Sequence, residues 1–403
     1  MGRRAGKGVV MVDCTLRRMR LIGFRSLSSQ DVDFDNPTFV VGPNGSGKSN
    51  FTDAFAFLSE AMVSPLQAVI ERRGGFSVVS HRTSARGRPA NLTLSVELQN
   101  PDSDTTRASY YIDLRPRRGN DFEVAEEICG VQRSDGSHGF RRRTVKGANR
   151  WDISVDALAP AVEPNALALP LVGGDKRFRP LLRFLSGMRT YRIEPEALRA
   201  MQDPDGGTGL RSDGRNTASV LREIQRKSPE RDRTRICQLL ESVVPGTLDV
   251  RPKKHGNKLT LEFTQNRVAA EPVKFEAFSM SDGTLRVLGL ITAVFQRPAP
   301  SLLVIEEPEA SMHAGALGSI LDVLRLASRS MQVVVTTHSP DILDARWIEA
   351  RHLRILSWEN GVTRIGRVSQ PVRTALAQHL MGAGELLRSN ALTSDEGTGS
   401  DSR

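Results

Sequence analysis

Cysteine is scarce. Cys14, Cys129 and Cys237 lie far apart and no pair has C-x-x-C spacing, which excludes a disulfide framework and a thiolate zinc site. Long hydrophobic runs are absent too. No apolar stretch approaches the ~20 residues that span a bilayer, and the N-terminus carries no hydrophobic leader, so the sequence predicts a cytoplasmic protein without membrane contact. Heptads are missing, and the Pro and Gly density from about 150 to 245 forbids a long coiled coil. Lysine is rare in a basic chain: nine of the 56 basic residues are Lys and 47 are Arg.

What remains is an ordinary globular composition. With 39% apolar and 25% charged residues, 403 residues can bury a large core in one elaborated domain or two lobes. The net charge of +10 raises the question of nucleic acid. An Arg bias this strong also follows from GC-rich coding. The clusters Arg3-Arg4, Arg17-Arg18-Arg20 and Arg141-Arg142-Arg143 with Lys146 and Arg150 fit phosphate contact and solvated faces equally well. DNA or RNA as a partner therefore stays open.

The most specific motif is Gly42-Pro43-Asn44-Gly45-Ser46-Gly47-Lys48-Ser49, a complete G-x-x-x-x-G-K-[S/T] loop. The apolar run Thr38–Val41 leads into it as a strand, and Asn50–Leu58 leaves with helical apolar spacing. Glycines let the loop turn its N–H groups onto phosphates, and the helix start adds a positive end. Lys48 is predicted to bridge β- and γ-phosphates, and the Ser49 hydroxyl to ligate Mg²⁺. Residues 42–50 are thus expected to bind a nucleoside triphosphate.

Around the loop, Leu21–Phe24 reads as a strand, and 91–98, 108–114 and 123–131 as strands of an antiparallel sheet. Helices are expected at 197–201, 217–225 and 234–244, a hairpin at 248–251 and 258–263, and strands at 301–305 and 331–336. The division predicted is a basic arm at 1–14, an N-terminal ATPase portion at 15–149 and an inserted helical and hairpin lobe at 150–270. A C-terminal portion at 271–392 and a disordered tail at 393–403 complete it.

Three further signals follow in order. The strand Leu302–Ile305 ends in Glu306-Glu307-Pro308-Glu309. Two adjacent acids at a sheet edge place Glu306 near Mg²⁺, through water, and make Glu307 the general base for the attacking water. Ser281-Asp282-Gly283-Thr284 precedes a helix that Ser281 can cap, forming a second anion-seeking terminus. One chain holds one triphosphate, so that terminus points to the nucleotide of another copy. Thr337-His338-Ser339-Pro340 sets His338 beyond an apolar strand, where it can donate to the γ-phosphate or polarise the water. His313 is expected in a dimer-contact loop.

Together with Phe24-Arg25-Ser26-Leu27, Tyr191–Pro195 and Ser212–Asn216, these motifs resemble the ABC-type, SMC/RecF-like "AAA family ATPases" over most of residues 15–345. The resemblance implies an α/β P-loop NTPase fold: an ABC-type ATPase head with a mixed-sheet core, an antiparallel β lobe and an inserted helical lobe. It implies ATP and Mg²⁺ as cofactors, with Lys48, Ser49, Glu306 and Glu307 acting in cis. Ser281 and Gly283 would act on the partner's γ-phosphate, and His338 would be the switch histidine. Glu306 stands where the family commonly has Asp, and Ala314 follows His313 where Pro is usual. For the Q-loop only Gln99 and Gln132 offer themselves.

The function expected is ATP hydrolysis coupled to nucleotide-gated homodimerisation, in DNA maintenance or antiphage defence beside a separate nuclease or effector. With 65 residues after His338, an intrinsic nuclease domain is not expected. The alternative is a slow or non-hydrolysing ATP-sensing module that recruits an effector. A transporter ATPase is disfavoured by the Phe-Arg-Ser-Leu opening and by the ~230 residues between loop and Ser281.

Overall fold

A computed structural model describes residues 14–81, 90–99, 105–153, 159–227, 229–267, 270–310, 312 and 317–395. The basic arm up to residue 13, His313 and the chain beyond 395 lie outside the described residues.

Two strand patterns build two kinds of sheet. Strands that alternate apolar and polar residues pair antiparallel: β1 (Thr15–Phe24), β2 (Leu27–Asp33), β4 (Leu92–Gln99), β5 (Thr105–Pro116), β6 (Phe122–Arg133), β7 (Gly136–Val145) and β8 (Ala148–Ile153). Their order is β2-β1-β4-β5-β6-β7-β8, with the alternate residues buried on one face. The three predicted strands appear as β4, β5 and β6.

The core sheet has the order β16-β15-β3-β14-β13-β9, and its central strands β3, β14 and β13 are buried almost throughout. These are β3 (Thr38–Val41), β9 (Arg189–Tyr191), β13 (Leu302–Glu306), β14 (Gln332–Thr337), β15 (Leu353–Glu359) and β16 (Val362–Arg367). Each is parallel to its neighbour except β16, which returns from β15 as a hairpin. Continuous apolar runs are required because both faces are covered. Val40, Leu302, Val304, Val334 and Leu356 enter one core, shared with helix α1 (Lys48–Ala61) and the antiparallel sheet. Phe39, Val41, Leu303, Ile305, Val333 and Val335 enter the other. That second core is shared with later helices, labelled in chain order α2 (Arg179–Gly187), α3 (Thr217–Lys227), α4 (Pro229–Glu241), α5 (Asp282–Phe295) and α6 (Leu317–Ser328); of these α2 alone packs in the first core.

The segment 150–270 is not a single inserted lobe. Within it β9 returns to the core sheet, where Tyr191 stands beside Ile305. The predicted hairpin gains a third strand, giving a small sheet of β10 (Thr247–His255), β11 (Lys258–Arg267) and β12 (Ala270–Glu276). Helix α4 starts five residues before the predicted 234, at Pro229, whose fixed φ suits a first turn. Thr393–Asp395, expected in a disordered tail, pair with β16 and the residues after it: Ser394 bridges Val368, and the Asp395 amide donates to the Arg367 carbonyl at 2.9 Å.

Several of the clustered arginines serve the antiparallel sheet. Arg141 and Arg143 both donate to Glu126, at 2.6 and 2.7 Å, and Arg18 pairs with Asp33 at 3.0 Å. Arg142 is neither a phosphate grip nor a solvated face. It is fully buried, 3.8 Å from the equally buried Glu127.

Candidate nucleotide-binding site

The loop 42–49 sits at the carboxyl edge of the core sheet, between β3 and α1. Gly47 caps α1 with φ 99°, no side chain caps that terminus, and no acid lies in its first turn. The first helical N–H groups therefore remain for an anion. Gly47 is required twice over: its φ is left-handed, and a Cβ there would lie 2.0 Å from Thr363 Oγ1. Inside the loop the Ser46 hydroxyl is buried without a hydrogen-bond partner. A positive helix end, an uncapped terminus and a spare buried hydroxyl fit a polyphosphate.

Lys48 is buried and donates to the carbonyls of Gly42 and Pro43 at 2.9 and 3.1 Å. Its Nζ is also 3.3 Å from Glu307 Oε1. Glu307 follows β13 directly, and the same Oε1 is 3.5 Å from Nδ1 of His338, which follows β14. Three parallel strands thus deliver Lys48, Glu307 and His338 to one point. Glu307 holds a left-handed φ of 42°, rare for a residue with a Cβ, and its N–H donates to the Thr336 carbonyl at 3.0 Å.

Glu306 is turned toward α1. Its Oε2 accepts from Ser49 Oγ at 3.2 Å and its Oε1 from Thr52 Oγ1 at 2.5 Å. Burial pushes its carboxyl above the usual glutamate range, with the Thr52 and Ser49 hydroxyls pulling the other way. Ser49 and Glu306 therefore share one spot, which fits a hard divalent cation completed by phosphate oxygens and water.

Other predicted residues stand elsewhere. Pro43, Asn44 and Gly45 form the exposed crest of the loop. Asn50, expected to touch the nucleotide, turns its Nδ2 to Ser26 Oγ at 2.8 Å. Ser281 caps α5, accepting from the Thr284 amide at 3.2 Å. A Cβ at Gly283 would meet only Met312, at 3.6 Å. Helices α1 and α5 cover opposite faces of the core sheet, and no described hydrogen bond or ion pair links Ser281 to Lys48, Ser49, Glu306 or Glu307. Gln99 and Gln132 line a cleft with Arg17, Arg107 and His138 on the antiparallel sheet, without any loop residue.

Several residues of the site were given no role by sequence reasoning. Thr52 lies one turn after Ser49 on the same helix face, a spacing visible in sequence. Glu309 is buried; its Oε1 accepts from Thr337 Oγ1 at 2.6 Å and from the His338 amide at 3.2 Å, which sets the histidine's position. Thr363, on β16, donates to the Ser46 carbonyl at 2.9 Å and pairs with Ser26 Oγ at 2.7 Å. Nothing local marks Thr363, because 317 residues separate it from Ser46.

The family model described as "AAA domain, putative AbiEii toxin, Type IV TA system" matches residues 38–344. Among solved structures, an Smc head bound to the C-winged helix domain of ScpA superposes with a TM-score of 0.54 at 16% identity, covering 89% of this chain and 99% of that one. A Pyrococcus furiosus Smc head with an extended coiled coil, bound to the C-terminal domain of ScpA, also gives 0.54, at 13% identity with 91% and 99% coverage. No curated protein matches the sequence. The fold is that of an Smc-like, ABC-type P-loop ATPase head. Among the described residues no helix is long and apolar enough to cross a membrane.

Proposed function

The chain belongs to the AAA-domain family whose model spans residues 38–344, and from that membership we propose that it hydrolyses ATP with Mg²⁺ and closes as a homodimer around the nucleotide. The observation that carries the reading is the meeting of Lys48, Glu307 and His338 at one carboxylate oxygen. In that arrangement Lys48 exchanges Glu307 and two carbonyls for phosphate oxygens. Glu307, released, orients the attacking water and takes its proton, while His338, held by Glu309, donates toward the γ-phosphate. Ser49 and Glu306 are the residues that would hold Mg²⁺, which when bound would spread the charge of the phosphates.

Dimerisation is supported by the exposed Ser281 at the start of α5, on the sheet face opposite α1. A second copy can bring that terminus over the loop of the first. Phe278, 68% exposed just before the motif, gives the approaching surface an apolar contact. We further infer a cytoplasmic role in DNA maintenance or antiphage defence with a separate effector protein. The two Smc heads were each caught with a ScpA domain, and the family description names a toxin–antitoxin system. The ion-paired Arg18, Arg141 and Arg143 leave less free charge for DNA or RNA than composition suggests. The extra methylene of Glu306 favours slow turnover, the observation behind a second reading as an ATP sensor that recruits its effector without rapid hydrolysis.

The test is phosphate release by the wild-type chain against Lys48→Ala, with the mass of Glu307→Gln measured with and without Mg-ATP. Release above the control, and a dimer only with Mg-ATP, are expected. No release above the control would leave only the sensor reading, and no dimer would remove the composite site.

A further inference from the structure

We propose that Trp358 is the platform on which the nucleobase stacks, an inference that rests on the ATP-binding reading. The cluster of Glu306, Glu307 and His338 lies at the ends of β13 and β14, on one side of β3. A triphosphate lying in the loop with its terminal phosphate at that cluster must send its ribose and base the other way, across β3 toward β15 and β16. The hairpin of those two strands is what the structure places there.

Trp358 is the residue at the right height. In the parallel β3–β15 ladder Ile355 stands beside Val41, the last residue before the loop, and β15 runs on past that pair through Leu356 to Trp358. The approach is tight: a Cβ on Gly42 would lie 2.6 Å from the Leu356 carbonyl oxygen. Leu356 faces the core shared with α1, and strand alternation gives Trp358, two residues on, the same side. Directly opposite Trp358 in the hairpin is Thr363, whose hydroxyl holds the Ser46 carbonyl of the loop.

The indole is left for a ligand. Trp358 is 52% exposed, and among the described residues no aromatic ring packs on it. The other two tryptophans are committed, Trp151 against Phe140 and Trp347 against Phe39, each at 5.8 Å. Aromatic stacking tolerates any base, so the subsite takes nucleotides as a class and does not by itself choose adenine. Both strands of the hairpin lie beyond residue 344, outside the segment the family model matches.

Binding of ATP and of inorganic tripolyphosphate to the full chain separates the possibilities. Trp358→Ala is expected to weaken ATP about fivefold or more, the loss of one base stack, while tripolyphosphate binds as in the wild type. Trp358→Phe should keep most of the ATP affinity, and ATP should quench wild-type tryptophan emission but not that of Trp358→Phe. Unchanged ATP affinity in Trp358→Ala would overturn the proposal. So would equal weakening of ATP and tripolyphosphate, which would make the hairpin a support for the loop alone. Failure of the wild-type chain to bind either ligand would remove the ATP-binding reading itself, a different result from both.

Discussion

Lys48 and Glu307 neutralise one another, Nζ to Oε1 at 3.3 Å. In the proposed cycle the cation assigned to phosphate and the carboxylate assigned to water are each other's partners, so nucleotide binding has to separate them. Lys48 is buried and Glu307 about one-third exposed, so their attraction is only partly screened.

Glu307→Gln removes that competition. It should bind ATP at least as tightly as the wild type while hydrolysing it about 100-fold more slowly or worse, the usual worth of a general base. Equilibrium binding and phosphate release read both. A variant that binds ATP more weakly would show that the ion pair assists the loop.

The backbone at Glu307 stores strain. With φ at 42°, Glu307→Gly should be more stable to urea than Glu307→Ala by about 1 kcal/mol, reversing the usual penalty for glycine. Neither variant should hydrolyse ATP. An alanine variant as stable as the glycine one would mean that the conformation relaxes when the side chain is lost.

Thr363 braces the loop from a distant strand. Thr363→Val keeps shape but loses the hydrogen bonds to Ser46 and Ser26 and leaves the Ser46 carbonyl short of a donor. A loss of ATP affinity of about tenfold is expected from ~1.5 kcal/mol, with Thr363→Ser restoring it. Equal weakening in the serine variant would assign the effect to packing.

Glu306 should make metal binding depend on acidity. Its carboxyl titrates above the usual value because burial disfavours the charge. The free protein therefore favours the protonated form, whose stabilisation is full below the ordinary glutamate range and is lost as pH rises through the raised value. Mg²⁺ needs the carboxylate, so Mg-ATP affinity should fall as pH drops through that raised range, with protons released on binding. Titration calorimetry in buffers of different ionisation heat measures this. Glu306→Gln should bind more weakly and with a flat profile.

Glu127 and Arg142 make a buried pair whose components need each other. Glu127 accepts from Tyr110 and from the Ala168 and Leu169 amides at 2.7–2.9 Å, pinning the chain after residue 159 to the antiparallel sheet. Glu127→Gln alone should cost several kcal/mol by leaving the Arg142 charge uncompensated. Glu127→Gln with Arg142→Met should cost less than the two single changes added, in urea unfolding of a double-mutant cycle.

Local chemistry was legible in the sequence. Residues 42–49 announce a phosphate loop because glycine, lysine and serine at that spacing serve a backbone turn that is itself local. The runs 302–305 and 331–336 read as buried strands because an unbroken apolar stretch needs cover on both faces, which two cores supply. Ser281 was legible as a helix cap for the same local reason. The burial of Arg142 was not, because its partner Glu127 meets it across the β6–β7 ladder and three arginines in a row read as surface.

Residue type and spacing along the chain determined that this protein has a phosphate loop, paired acids after a buried strand and a histidine after another, since each depends on a few consecutive residues. Only the folded arrangement decided that one oxygen of Glu307 faces both Lys48 and His338, that Thr363 closes on Ser46, and that Trp358 stands opposite Thr363. Those relations follow from the order of strands in a mixed sheet, where neighbours in space can lie hundreds of residues apart and hydrophobic patterning says only which side is buried.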